Sequence, residues 1–420
     1  MNGQLNFLDL FAGAGGLSEG FIQAGFKPVA HVESDKAACF TLQTRMAYHW
    51  LKLHDQEEIY SNYLNGTLNR PDFYEQVPKL IVDSVINTEI GSSTMQDIIQ
   101  RVDSLLGNRK LDLIIGGPPC QAYSVVGRSR DKNRMIGDKR NYLYLYYAEF
   151  LKRYKPSYFV FENVTGLLSA RDEEGCLYFN NMQILFCKCG YETEFMTLSA
   201  ENHGVLQRRK RIVLVGKRGK NTGFYPVPDK WNPGVNVSEI FDDLPSISAG
   251  DGNVGPCRVK PYSGSWQHKA GIRNEDFPVT WHKARPNNKQ DLEIYRIAVE
   301  LWNSEKTCLN YNVLPDRLKT HRQRDSFLDR FKVVASDRPF SHTVVAHISK
   351  DGHYYIHPDI DQNRSITPRE AARLQTFPDD YYFESSNCLP GRTPAFRQIG
   401  NAVPVLLARK IAEKLKETWV

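Results

Sequence analysis

Cys120 stands at the end of Leu111-Asp112-Leu113-Ile114-Ile115-Gly116-Gly117-Pro118-Pro119-Cys120-Gln121. The apolar run reads as a buried strand of a parallel sheet. Two glycines then permit unusual backbone angles, and two prolines fix φ and remove two donors. The chain must leave the strand rigidly and present a thiol beyond its carboxyl end, where open α/β sheets bind ligands. A thiolate there is a nucleophile. Glu162 follows a second apolar run, Tyr158–Phe161, and would face the same crevice. A thiol and a carboxyl converging on one pocket suit nucleophilic attack coupled to general acid work. These residues alone leave open a buried structural cysteine and a solvated loop acid.

Three further groups carry chemical signals. Phe11-Ala12-Gly13-Ala14-Gly15-Gly16 is a glycine turn between a strand and a helix, where a ligand can approach backbone. No Gly-Lys-Ser/Thr follows, so it is not a phosphate-binding lysine loop. Glu33, about one strand–helix–strand unit later, can accept both ribose hydroxyls of a nucleoside cofactor, or cap the next helix beside Ser34 and Asp35. In Gln207-Arg208-Arg209-Lys210-Arg211 alternation puts Gln207, Arg209 and Arg211 on one face, Arg208 and Lys210 on the other. Between Arg128 and Arg140 six residues are Lys or Arg, with Gly127 and Gly137 as hinges. A basic loop beside a reactive thiol suits closure over a phosphate backbone.

The elements that must position these residues alternate. Strands are expected at Leu5–Leu10, Pro28–Val32, Leu111–Ile115, Tyr158–Phe161, Glu194–Leu198 and Arg211–Gly216. Helices are expected at Leu17–Ala24, Ala37–Leu53, Met95–Leu106, Tyr142–Tyr154, Met182–Lys188, Thr367–Gln375 and Val405–Glu417. Residues 54–80 give no clear pattern. Strands alternating with helices imply an α/β fold with a mixed, mostly parallel sheet. After about residue 218 Pro, Gly, Asn and Asp crowd the chain, and a second, loop-rich unit with local β structure is expected to about residue 360.

The 420 residues are 41% hydrophobic and 24% charged, with a net charge of +6, a composition that fits a globular chain compatible with nucleic acid. No basic region precedes the first apolar stretch, and no stretch is long enough to span a bilayer. The eight cysteines form no disulfide framework, so reduced thiols in a cytoplasm are expected. Cys187-Lys188-Cys189 lacks a matching pair, so no metal is expected.

Taken together, the motifs resemble those of the C5-cytosine DNA methyltransferases, in the family's order and over most of the chain. Asp9 to Ser18 looks like the S-adenosylmethionine motif, and Gly116 to Ser124 is similar to the nucleophile motif. Glu162-Asn163-Val164 resembles the motif that holds the target cytosine, and Gln207 to Arg211 the Gln-x-Arg-x-Arg motif. Thr367 to Asp379 and Gln398 to Pro404 resemble the last two motifs. Leu206 stands where the family often has Pro. Thr88-Glu89-Ile90, with Asp83 behind it, is the candidate for the acidic motif on the cofactor adenine.

The resemblance implies a Rossmann-like S-adenosylmethionine-dependent methyltransferase domain, discontinuous over 1–219 and 361–420, and a target-recognition domain over 220–360. It implies Cys120 as nucleophile, Glu162 as the acid at the cytosine ring, and Arg209 and Arg211 holding the pyrimidine. Phe11, Gly13, Gly15, Gly16, Leu17, Glu33, Ser34, Glu89, Pro118, Asn401 and Val403 would contact the cofactor. Gln121, Ser124, Arg128, Arg130, Arg140, Gln207 and Thr343 would contact DNA, near a basic cluster of Arg317, Lys319, His321, Arg322, Arg324, Arg330 and Lys332. The implied substrate is double-stranded DNA, the implied setting a restriction–modification system with a cognate endonuclease, and the implied state a monomer. A tRNA cytosine methyltransferase and a silent DNA-binding regulator are the competing readings.

Overall fold

A computed structural model describes residues 4–119, 139–219, 222–262, 264–321, 327–387 and 389–419. The strands are β1 (Asn6–Leu10), β2 (Lys27–Glu33), β3 (Val85–Asn87), β4 (Leu113–Gly116), β5 (Tyr158–Asn163), β6 (Tyr191–Ser199) and β7 (Lys210–Arg218). They form one sheet in the order β3-β2-β1-β4-β5-β7-β6. The first five of that order run parallel, and β7 lies antiparallel between β5 and β6. The chain reverses direction across the sheet between β1 and β4, so a crevice opens beyond their carboxyl ends.

Alternation along the strands divides the core into two layers. Phe7, Leu113, Ile115, Val160 and Val215 face the helices Gly16–Gln23 and Val405–Glu417. Leu8, Leu10, Ile114, Phe159 and Leu214 face Met95–Leu106, Leu143–Tyr154 and Tyr178–Lys188. The first and last helices touch closely at Gly20. A Cβ there would come within 2.4 Å of Arg409 N and 2.5 Å of Ala408 Cβ. The last helix therefore packs on the first.

Several elements were not foreseen. Residues 54–83 hold three short helices, Glu57–Leu64, Arg70–Glu75 and Lys79–Asp83. Tyr60, Tyr63 and Phe73 pack with Tyr48, Phe277 and Tyr382 in an aromatic core of their own. Among the described residues beyond 222, β structure is confined to a two-residue ladder, Gly252–Asn253 with His282–Lys283, and a few single bridges. The helix Lys289–Glu305, capped by Asn288 accepting from Asp291 N, replaces expected loop. A small core of Ile294, Tyr295, Val299, Tyr311, Leu314 and Phe331 gathers around it.

Buried charge knits the C-terminal segment together and ties it to Asp243. Arg373 pairs with Asp243 and Asp379, and Arg364 makes a two-pronged contact with Glu370. Glu370 also completes a capping box with Thr367 at the start of Pro368–Leu374. Among the described residues no helix is long and apolar enough to cross a membrane, and no group of three or more metal-ligating side chains forms.

Candidate active site

The turn after β1 sets the floor of the site. Phe11 has φ 59°, Gly13 56° and Gly15 80°. A left-handed conformation at Phe11 costs about 1–3 kcal/mol and persists because its neighbours fix it. Ala12 N donates to Val32 O, and Gly15 N donates to Ala12 O. Gly16 then begins the first helix against the C-terminal segment, where a Cβ would stand 2.4 Å from Val403 O. Gly13 carries nothing within 4 Å of the place a Cβ would occupy.

Glu33 ends β2 beside this turn. Its Oε2 accepts from Gly13 N at 2.8 Å, and its Oε1 accepts from Ser34 N at 2.9 Å and Asp35 N at 2.8 Å. Three backbone amides thus aim the carboxylate. Asp35, not Glu33, caps the following helix, with Oδ1 accepting from Ala37 N and Ala38 N.

A cleft of about 440 Å³ opens above these residues. Phe11, Gly13, Gly16, Leu17, Glu33 and Ser34 line one side. Glu89 enters with Thr88 and Ile90, Pro118 from the end of β4, and Asn401 and Val403 from the C-terminal segment. Gly15 is not on the lining; its bare backbone lies against Leu42 and Tyr381. Asp83 is exposed and lies off the cleft.

Glu162 and Arg211 occupy the same cleft. Arg211 Nε lies 2.7 Å from Glu162 Oε1, and each side chain is 13% exposed. The antiparallel β5–β7 register delivers the pair, because Glu162 sits opposite Val213 and Asn163 opposite Ile212. Burial pushes the Glu162 carboxyl above the usual carboxylate range, against the opposing pull of Arg211 and Arg209. Gly117 brings the exit of β4 against this acid: a Cβ there would meet Glu162 Oε2 at 2.7 Å. Asn163 Nδ2 donates to Pro118 O at 3.2 Å and pins the same exit. Pro119 lines the cleft one residue before Cys120. Cys120, Gln121, Ser124, Arg128 and Arg130, and the side chain of Arg140, lie outside the described residues.

Two residues expected at the pyrimidine and the DNA are buried. Arg209 is 1% exposed, and its guanidinium donates to Val344 O, Gly400 O and Ala402 O. It locks the backbone on either side of Asn401. Gln207 is fully buried, donates to Leu374 O and accepts from Val344 N, so it reaches no DNA-facing surface. The two share one face, as alternation implied, but that face points inward. Thr343 gives its hydroxyl to Arg208 O in the same seam. The basic cluster is largely neutralised: Arg317 pairs with Glu293, Lys319 with Asp316, Arg330 with Asp351 and Lys332 with Asp329. Arg322 and Arg324 lie outside the described residues.

The sequence reading singled out neither Asp9 nor Arg397 as a site residue. Asp9 sits within β1 and lines the cleft, 1% exposed, with neither carboxyl oxygen hydrogen-bonded among the described residues. Its place on the inward face of an apolar strand, just before the glycine turn, was the available signal. Arg397 Nη2 lies 2.9 Å from Asp35 Oδ2 across the cleft.

A twisted, mostly parallel sheet with this crevice at its switch point defines the Rossmann-like methyltransferase class. A prophage-encoded E. coli chain described as a DNA modification methyltransferase shares the fold, with a TM-score of 0.61 at 22% identity over 99% of both chains. Spodoptera frugiperda DNMT2 superposes with a TM-score of 0.51 at 15% identity, over 98% of this chain and all of that one. The chain belongs to the C-5 cytosine-specific DNA methylase family, whose model matches residues 5–73 and 84–417, and is a DNA (cytosine-5-)-methyltransferase. It is 40% identical to the type II methyltransferase M.Bpa9945I of Bacillus paralicheniformis, over 98% of each chain. It is 30% identical to the type II methyltransferase M.XorII of Xanthomonas oryzae, over 97% of this chain and 84% of that one.

Proposed function

We propose that the chain methylates carbon 5 of a specific cytosine in double-stranded DNA, through a covalent bond between Cys120 Sγ and carbon 6 of a flipped-out base. The observation that carries this reading is the sharing of one cleft by the Glu162–Arg211 pair and the Glu33-anchored glycine turn. The cofactor is S-adenosylmethionine, which when bound supplies a methyl group activated as a sulfonium. The donor set fits it: an amide-aimed carboxylate for ribose hydroxyls, open backbone at Gly13, and an unpartnered carboxyl at Asp9 for a cationic end. Phe11 offers its ring to the adenine, Glu89 its carboxyl to the adenine edge, and Asn401 closes the cleft.

Cytosine carbon 5 is a poor nucleophile until a thiolate adds at carbon 6 and makes it enamine-like. The Cys120 thiolate makes that addition. Burial shifts the Glu162 carboxyl toward its protonated form, from which it would give a proton to ring N3 as negative charge enters the ring. Arg211 holds the Glu162 carboxyl and offers its remaining N–H groups to the pyrimidine oxygen. Carbon 5 takes up the methyl group; a solvent base then removes the carbon-5 proton, the freed electron pair expels the Cys120 thiolate, N3 returns its proton to Glu162, and 5-methylcytosine is left. A stacked base cannot enter this cleft, so it must leave the duplex. Gln121, Ser124, Arg128, Arg130 and Arg140, which lie outside the described structure, are the residues proposed to meet the DNA backbone. The type II methyltransferase names of the relatives support a modification role; a cognate restriction endonuclease, a cytoplasmic setting and a monomeric state complete the proposal.

The test is methyl transfer from labelled S-adenosylmethionine to duplex DNA or tRNA, for wild type and Cys120→Ala. Wild type should label DNA, and Cys120→Ala should label nothing while binding cofactor as wild type does. Labelling of tRNA alone would overturn the substrate, and labelling by Cys120→Ala would overturn the mechanism. Bisulfite sequencing of DNA from expressing cells gives the recognised word.

A further inference from the structure

The helix Glu57–Leu64 lies in the stretch with no readable pattern, and its residues sit off the cleft. Two of its side chains nevertheless hold one short strap of chain, residues 380–384. Tyr60 and Tyr63, three apart, share a face of the helix. Tyr60 Oη donates to Asp380 O at 2.6 Å. Tyr63 Oη donates to Glu384 Oε1, which also accepts from Thr44 Oγ1 at 2.8 Å. Both tyrosines and Glu384 are buried. Arg45 and Arg70 grip the same two acids, at 3.1 Å from Asp380 and 3.3 Å from Glu384. The strap in turn touches two walls of the cofactor cleft. Beside the Tyr60 contact, Tyr381 Oη donates to Ala14 O at 2.5 Å, within the glycine turn, and lies against the bare face of Gly15. At the other end, Gln398 Nε2 donates to Glu384 O at 2.8 Å. Thr41 Oγ1 bridges the two residues, accepting from Glu384 N at 2.8 Å and donating to Gln398 Oε1 at 2.6 Å. Ala14 and Gln398 both line the cleft, one from the glycine turn and one from the C-terminal segment.

We propose that Tyr60 and Tyr63 are positioning residues for the cofactor site. Their two hydroxyls fix the strap, and the strap fixes the glycine turn against the wall that carries Asn401. A site that holds its ligand in one geometry needs walls locked by packing and hydrogen bonds behind them. The glycine turn cannot supply that lock itself, because Gly13 and Gly15 leave its backbone free. The tyrosines can. Their rings are set in the aromatic core, where Phe73 stacks on Tyr63 with centroids 4.4 Å apart. The helix is thus a brace, and cofactor affinity is set in part from outside the cleft. This inference rests on the cofactor reading above.

Calorimetric titration of the full chain with S-adenosylhomocysteine, beside steady-state kinetics, tests it. Tyr60→Phe and Tyr63→Phe each remove one hydroxyl and keep the ring in the aromatic core. Each should weaken S-adenosylhomocysteine by roughly three- to tenfold and leave affinity for duplex DNA within about twofold. The KM for S-adenosylmethionine should rise by the same factor. Thr41→Val breaks the path at its far end and should act alike. Combined with Tyr63→Phe it should weaken the ligand by less than the product of the two single factors, because both cut one path. Val77→Ala is the control, since Val77 packs in the same aromatic core and carries no polar side chain. It should lower the melting temperature as far as Tyr63→Phe does and leave cofactor affinity within about twofold of wild type. Tyrosine variants that bind as wild type overturn this inference alone. So does a Val77→Ala protein that weakens the cofactor as much, or a double variant that shows the full product. Failure of wild type to bind either S-adenosylhomocysteine or S-adenosylmethionine overturns the cofactor reading and this inference with it.

Discussion

Glu162 and Asp9 are both carboxyls raised by burial, yet they differ in what surrounds them. Glu162 has Arg211 at 2.7 Å, and Asp9 has no hydrogen-bonding neighbour among the described residues. Glu162→Gln should lower kcat by about 10²–10⁴-fold with cofactor affinity unchanged, because Gln cannot transfer a proton. The active form of Glu162 is protonated, so its contribution is full at low pH and is lost as pH rises through the raised value. A pH profile of kcat should lose that limb in the variant. For Asp9 the sign runs the same way in stability. Between its unfolded and its raised folded value the native state holds a proton that the unfolded chain has lost, so stability falls as pH rises. Ligand-free Asp9→Asn should therefore melt higher than wild type near pH 7 and equally near pH 4, by scanning fluorimetry. Residues at strand ends, such as Glu33 and Glu162, were legible because an apolar run defines where a strand stops. The depth of Arg209 was not legible. A two-residue spacing assigns it a face, but only the meeting of Val344, Gly400 and Ala402 makes that face interior.

At the scale of elements, the site depends on helix contacts that bare backbone allows. Gly20 lets the first helix lie against the last, and the first helix carries Gly16 and Leu17 into the cleft. Gly20→Val should cost about 1–3 kcal/mol by overpacking. It should also weaken cofactor binding, since Gly16 and Val403 move apart; denaturant melts and calorimetry read the two effects. Buried charge is the second device. Arg373→Met leaves Asp243 and Asp379 buried without their partner and should cost about 3–5 kcal/mol. Lys152→Met removes an exposed pair with Glu149 and should cost within about 0.5 kcal/mol. Long periodic elements were readable from sequence. The three helices of 54–83 were not, since each spans eight residues or fewer and its apolar residues are aromatics shared with Tyr48 and Phe277. Helix Lys289–Glu305 was obscured by the surrounding Asn, Asp and Pro, which signal loop.

At the scale of the whole molecule, the division into a catalytic unit and a recognition unit meets a core that ignores it. One buried cluster joins Phe7 and Leu113 of the sheet to Trp266, Trp281 and Val334, and to Leu406 and Leu407 of the last helix. A separate cluster holds Tyr295, Tyr311 and Phe331. Most of the segment assigned to recognition is thus anchored in the catalytic core, and residues 292–333 form the part with a core of their own. That arrangement predicts different consequences for two truncations of similar size in energy. Phe331→Ala should cost about 3–5 kcal/mol, confined to the small core. It should weaken DNA binding by tenfold or more and leave S-adenosylhomocysteine affinity within about twofold. Leu407→Ala should cost about 2–5 kcal/mol in the shared core and weaken both ligands together. Hydrogen exchange supplies the independent readout. Amides of 292–333 should exchange early in Phe331→Ala while β1, β4 and β5 stay protected. If Phe331→Ala lowers cofactor affinity as far as DNA affinity, recognition and catalysis share one cooperative unit, and the division at about residues 220 and 360 is wrong.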